Sequence, residues 1–143
     1  MMKPRFLACA LFALIALVPA AGSGLLAQSV KEKTIEADGS NVQVKIMAVD
    51  ADIVSVKPYI KGEEGKKGNL WLDVVLKNTG SEPEAYNIFG QGKTTSGGWI
   101  GGALKAPKTG KLDPGQQTVA KVNTRLKTEA IPKEIRVDVL PPQ

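Results

Sequence analysis

The amino-acid sequence predicts an all-β domain, an antiparallel β-sandwich, preceded by an export leader. Three observations predict it. Apolar residues recur at every second position in several short runs, glycine and proline separate those runs, and no apolar stripe of helical period is long enough for an extended helix. Six or seven strands in about 100 residues suit two packed sheets around one core.

The chain opens with Lys3 and Arg5, continues through an apolar core from Phe6 to Val18, and reaches small residues at Val18-Pro19-Ala20. This is the layout of a signal peptide, expected to be cut after Ala20 or as late as Ala27. No charge occurs from Phe6 to Val30, a length that would also span a bilayer, so a retained membrane anchor is the alternative. Residues 28–40 read as a polar lead-in, and the domain proper as residues 41–143.

Val42, Val44 and Ile46 alternate with polar partners and predict the first strand. Val54 and Val56 begin a second, which Pro58 interrupts; a sheet edge accommodates such a proline. Gly62 to Asn69, charged and rich in glycine, reads as an exposed loop. Leu70, Leu72, Val74 and Leu76 then interleave with Trp71, Asp73, Val75 and Lys77, the clearest half-buried strand in the chain. Asn78-Thr79-Gly80-Ser81-Glu82-Pro83 turns the chain, and Glu84 to Phe89 returns as a strand with Tyr86 and Ile88 opposite Ala85, Asn87 and Phe89. Seven glycines lie between Gly90 and Gly110 around Trp99, Ile100 and Leu104, which predicts a twisted hairpin or a long loop folded onto a sheet. Asp113-Pro114-Gly115 is a turn, Gln116 to Val122 a strand, Asn123 to Ala130 a connection with at most one helical turn, and Lys133 to Leu140 the closing strand.

The run Leu72-Asp73-Val74-Val75-Leu76-Lys77-Asn78-Thr79-Gly80, the turn Leu112-Asp113-Pro114-Gly115-Gln116 and the closing Ile135-Arg136-Val137-Asp138-Val139 resemble the immunoglobulin-like accessory domains of exported bacterial proteins. The resemblance spans about Ser40 to Leu140. It implies an immunoglobulin-like sandwich engaged in adhesion, recognition or complex assembly, and it implies no catalytic residue.

Composition narrows the chemistry. The chain has no histidine, and its single cysteine, Cys9, lies in the leader. Histidine-based acid–base catalysis and the usual histidine metal sites are therefore excluded, and the exported body has no disulfide of its own. Without the leader, seventeen basic residues face fourteen acidic ones, a mildly basic and well-mixed surface that reads as an ordinary soluble one, attraction to acidic glycans or anionic lipid headgroups being the alternative.

Local motifs add no enzyme. Gly90-Gln91-Gly92-Lys93-Thr94 imitates a phosphate loop, but Asn87 stands where the first glycine belongs. Asp50, Asp52, Glu63 and Glu64 are too few and too scattered to specify a calcium site, and Ser81 and Ser96 lack an activating base. No metal, cofactor or catalytic residue is expected. Trp71 is expected to pack against a sheet edge or the glycine-rich segment, with exposure for binding the alternative.

The favoured contact residue is Trp99, which its glycine neighbours leave free to project; the alternative reading is that this loop folds over an open end of the sandwich and Trp99 seals it. Tyr86, Phe89 and Ile100 are expected to extend it into an apolar patch, with Lys93 and Lys105 at the rim. The expectation is a noncatalytic module, periplasmic or extracellular, whose partner is another envelope or extracellular protein. A glycan or small ligand, or assembly into a surface structure, are the alternatives; nucleic acid is not expected, and membrane contact only through a retained leader or a partner.

Overall fold

The computed structural model describes residues 30–47 and 49–141. The expected leader and its expected cleavage region lie outside the described residues. Eight strands are seen: β1 (Val30–Ala37), β2 (Ser40–Met47), β3 (Ala51–Lys61), β4 (Gly68–Asn78), β5 (Tyr86–Lys93), β6 (Trp99–Ala106), β7 (Gln117–Thr128) and β8 (Glu134–Leu140). They form a five-stranded sheet in the order β1-β2-β8-β5-β6 and a three-stranded sheet in the order β3-β4-β7.

The core lies between the sheets and follows the period of two. Val42, Val44 and Ile46 on β2 sit level with Ile135, Val137 and Val139 on β8, all inward. Leu70, Leu72, Val74 and Leu76 on β4 face them across the sandwich, each fully buried. Such a side chain contributes roughly 1.5 to 3 kcal/mol by leaving water. On β5, Gly90 and Gly92 occupy inward positions because Leu72 and Leu70 fill the space a Cβ would need, at 2.8 and 2.7 Å. Glycine here lets the two sheets close.

Four details depart from the expectation. The sheets are not wholly antiparallel, because β2 and β8 run parallel. Asn41 N donates to Lys133 O at 2.8 Å and the Ser40 hydroxyl to Pro132 O, so the two strands start side by side and run the same way. Residues 30–37, read as lead-in, form β1, turned onto β2 by Asp38 and Gly39 with φ of 50° and 82°. Two successive left-handed residues match the twist of a two-residue hairpin.

The third departure is in β3, where a bulge between Ile53 and Ser55 breaks the alternation. It leaves Val54 exposed while Val56 is buried. Pro58 sits inside this strand without disrupting it, since β3 is a sheet edge. The fourth is β7, which continues to Thr128 as strand where a connection was expected. The Asp113 to Gln116 turn takes the expected form: Gly115 has φ of 80°, and Gln116 N donates to Asp113 O at 3.1 Å.

Candidate binding faces

The β5–β6 hairpin positions Trp99. Thr94 N donates to Gly98 O at 2.7 Å, Gly98 N to the Thr94 hydroxyl at 2.9 Å, and Gly97 at φ of 97° completes the bend. Lys93 and Trp99 are thereby directly opposite, on the same outward face. Gln91 opposes Gly101, Phe89 opposes Ala103 and Asn87 opposes Lys105 along that face.

The Arg136 guanidinium, from β8, lies 3.9 Å from the centre of the Trp99 ring, and the Lys93 ammonium lies 5.9 Å from it. Lys93 also meets Glu134 at 3.1 Å. The outcome is a half-buried indole under a cation on a regular sheet. It neither projects freely from a loop nor seals an end of the sandwich. Gly101 and Ala103 follow it along β6 without bulk, opposite Gln91 and Phe89.

The expected patch does not hold together as one surface. Tyr86 is fully buried on the inward face, its hydroxyl donating to Asp50 O at 3.1 Å. Burial, then Glu84 and Asp50, pushes its phenol up to about 12. Ile100 is 41 % exposed but points to the side opposite Trp99, because adjacent strand residues alternate. Lys105 shares the Trp99 face but stands six residues away, roughly 20 Å along the strand. Trp99, Phe89 and Lys93 remain together, and Arg136 and Gln91 join them. Arg136 alternates with Ile135 and Val137, so its outward direction was legible; its place beside β5 depends on the sheet order.

Asp138, two residues beyond Arg136, completes this face between Lys45 and Phe89. Burial holds its carboxyl above the ordinary value, and Lys45 and Arg136 partly offset that.

A second face is built on the three-stranded sheet. Tyr59, Trp71 and Asn123 form one row across β3, β4 and β7. Lys61, Asn69 and Lys127 form the row on one side, and Lys57, Asp73 and Lys121 the row on the other. Trp71 is half-buried, with the Lys61 ammonium 5.1 Å from its ring centre. Burial first, and then Asp73, raise the phenol of Tyr59. Gly102 to Ala106 of β6 wall this face to make a cleft of about 510 Å³. Trp71 thus lines one cleft together with the glycine-rich segment.

β7 is irregular where it borders that cleft. Between the pairs Trp71–Asn123 and Asn69–Lys127 it advances four positions while β4 advances two. Arg125, at φ of 67°, occupies the bulge. Asn123 Oδ1 accepts from Arg125 N at 2.9 Å, and the buried Thr124 hydroxyl donates to Leu70 O at 2.8 Å while accepting from Leu126 N at 3.2 Å. These bonds hold a conformation that a non-glycine residue otherwise avoids. Arg125 also borders a larger cleft of about 830 Å³ beside Ile100 and Ile131.

Among the described residues, no group of three acidic or cysteine side chains is placed to hold a metal ion, and no helix is long and apolar enough to cross a membrane. No family model, curated protein or solved structure matches the chain.

Proposed function

We propose that the chain is a noncatalytic binding module, exported by its leader to the periplasm or beyond, which docks another envelope or extracellular protein on the outward face of its five-stranded sheet. The observation that carries the reading is the Arg136 guanidinium stacked 3.9 Å from the Trp99 ring centre, on strands rather than on a loop. Tryptophan and arginine are the side chains that most often dominate protein interfaces, and a rigid sheet presents them at little cost in ordering. Phe89, Gln91 and the Lys93–Glu134 pair supply an apolar and polar surround.

The strand order supports an immunoglobulin-like kinship. β4 and β7 are neighbours in one sheet, and their successors β5 and β8 are neighbours in the other. The same crossed relation joins the B–C and E–F strands of the immunoglobulin fold. The parallel pairing of β2 with β8 departs from that fold, whose sheets are antiparallel.

The test is crosslinked capture of the tagged protein from its native envelope. Trp99→Ala and Arg136→Gln should each reduce recovery of the specific partner at least tenfold while the folded spectrum is retained. Lys105→Gln, at the far end of the face, should leave recovery near the parent level. Undiminished capture by Trp99→Ala overturns the assignment.

A further inference from the structure

The face around Trp71 has a chemistry that the Trp99 face lacks. Lys61, Lys105, Lys108, Lys121 and Arg125 line its cleft, and among the described residues no carboxylate lines it. Asp73 lies beside Trp71 on β4 and is tied to Lys121 at 3.4 Å. Elsewhere on the molecule the signs mix: Lys33 meets Asp52, Lys66 meets Glu63, and Lys93 meets Glu134. Five cations lining one cleft form a focused positive field, worth more to a bound anion than the modest net charge of the chain suggests.

Within that field lies the Tyr59–Trp71 pair, two aromatic rings on adjacent strands in direct register. Aromatic rings offer the apolar face of a sugar a flat surface, and lysines supply partners for carboxylate or sulfate groups. One acceptor flanks the pair on β4: Asn69 Oδ1 is buried and has no hydrogen-bond donor, whereas Asp73 is engaged by the Tyr59 hydroxyl and Lys121. A hydroxyl-rich ligand supplies donors of the kind that acceptor lacks. Carboxylates and phosphodiesters, which only accept, do not.

We infer that this cleft binds an acidic polysaccharide, a sugar ring lying on the Tyr59–Trp71 row and the anionic groups meeting Lys61, Lys105 and Lys108. The assignment rests on the export reading for access to such glycans, and it shares with the Trp99 face only Lys105, at the far end of that face. Gly102 sets the width of the cleft, because its Cα carries no side chain where β6 meets Asn123 O of β7. Arg125, on the β7 bulge, lines both this cleft and the larger one.

The test uses the chain with Trp99→Phe, which leaves Trp71 as its sole tryptophan reporter. It is titrated at low salt with polygalacturonate and with heparin, and in parallel with neutral dextran, polyglutamate and oligo-dT. A saturable change in Trp71 emission is expected with at least one acidic glycan and not with dextran, and binding of polyglutamate and oligo-dT should be at least tenfold weaker. Adding Lys61→Gln, Lys105→Gln and Lys108→Gln, all at exposed positions, should weaken glycan binding about tenfold and flatten its salt dependence, with the folded spectrum unchanged. The proposal is overturned if neither acidic glycan gives a saturable signal, if the triple lysine variant binds like its parent, or if polyglutamate or oligo-dT binds as tightly. Because the reporter already lacks Trp99, glycan binding and protein capture succeed or fail separately.

Discussion

Replacing Asn78 by Ala should destabilise the fold by about 3 kcal/mol, although the side chain is polar and lies at the end of a strand. Asn78 is fully buried, and its amide is completely used. Nδ2 donates to Glu82 O and to Leu112 O, and Oδ1 accepts from Gly80 N, each at 2.8 Å. One side chain thus joins the end of β4, the turn that follows it, and the segment entering the Asp113–Gln116 turn. Each such bond contributes about 1 kcal/mol net, which gives the total for three. At roughly 4 °C per kcal/mol, Tm should fall about 12 °C. The backbone bonds of Asn78 to Gln116 O and from Gly115 N persist in the variant, so the loss should appear in the urea midpoint with little change in slope. Asn78→Asp sharpens the test, because it sets a carboxylate against two carbonyl oxygens. That raises the folded-state pKa of the new carboxyl, so the deficit should grow as pH rises from about 3 to 7. A loss under about 1 kcal/mol for the alanine variant, or a pH-independent deficit for the aspartate, would refute the reasoning.

Gly102→Ala should cost roughly 1 to 3 kcal/mol in urea unfolding, since the new methyl meets the backbone carbonyl of Asn123 and forces β6 away from β7; an unchanged midpoint would contradict that close approach. The Tyr86 phenol is raised to about 12 in the folded chain from its ordinary 10, so its contribution is complete below pH 10 and lost as pH climbs toward 12. Absorbance titration should show tyrosinate appearing together with alkaline unfolding, and Tyr86→Phe should make the alkaline loss of stability less steep. Asp138, whose carboxyl is raised by burial, withdraws stability as pH rises from below the ordinary carboxylate range through its folded pKa. Asp138→Asn should therefore gain on the parent across that window in chemical denaturation, and a widening deficit would reverse the assignment.

The fold was most legible where one face is dry and the other wet. β4 alternates without a break from Leu70 to Lys77, and its burial follows that alternation residue by residue. β8 and the Asp113–Gln116 turn were equally plain, for the same reason that branched side chains and Pro-Gly pairs have few alternatives. β1 was not, because only Ile35 and Ala37 pack against the core, and pairing with β2 supplies the rest. Its one local signal was Asp38-Gly39. The parallel register of β2 and β8 leaves no trace in alternation, which is identical for either direction. The bulges at Val54 and Arg125 reverse local faces through pairing geometry, and no single strand carries that information.

The candidate site was legible in part for related reasons. Tyr86 and Phe89 were correctly set on opposite faces of β5, but alternation does not say which face is inward. The buried row is Tyr86, Ile88, Gly90 and Gly92, and two glycines gave no apolar signal to mark it. Trp99 and Ile100 part company once the glycine-rich segment becomes a strand. Arg136 over Trp99 joins residues brought together by sheet order, as does the Tyr59–Trp71 row.

Photo-crosslinking from Gln91, the outward neighbour of Trp99 on β5, measures the proposed docking face most directly. With the crosslinker at Gln91 in the native envelope, a single partner adduct should form in the parent and fall at least tenfold with Trp99→Ala. The same crosslinker at Val119, exposed on the other sheet, should give little of that adduct. Equal adduct from both positions, or an adduct at Gln91 indifferent to Trp99, would contradict the account.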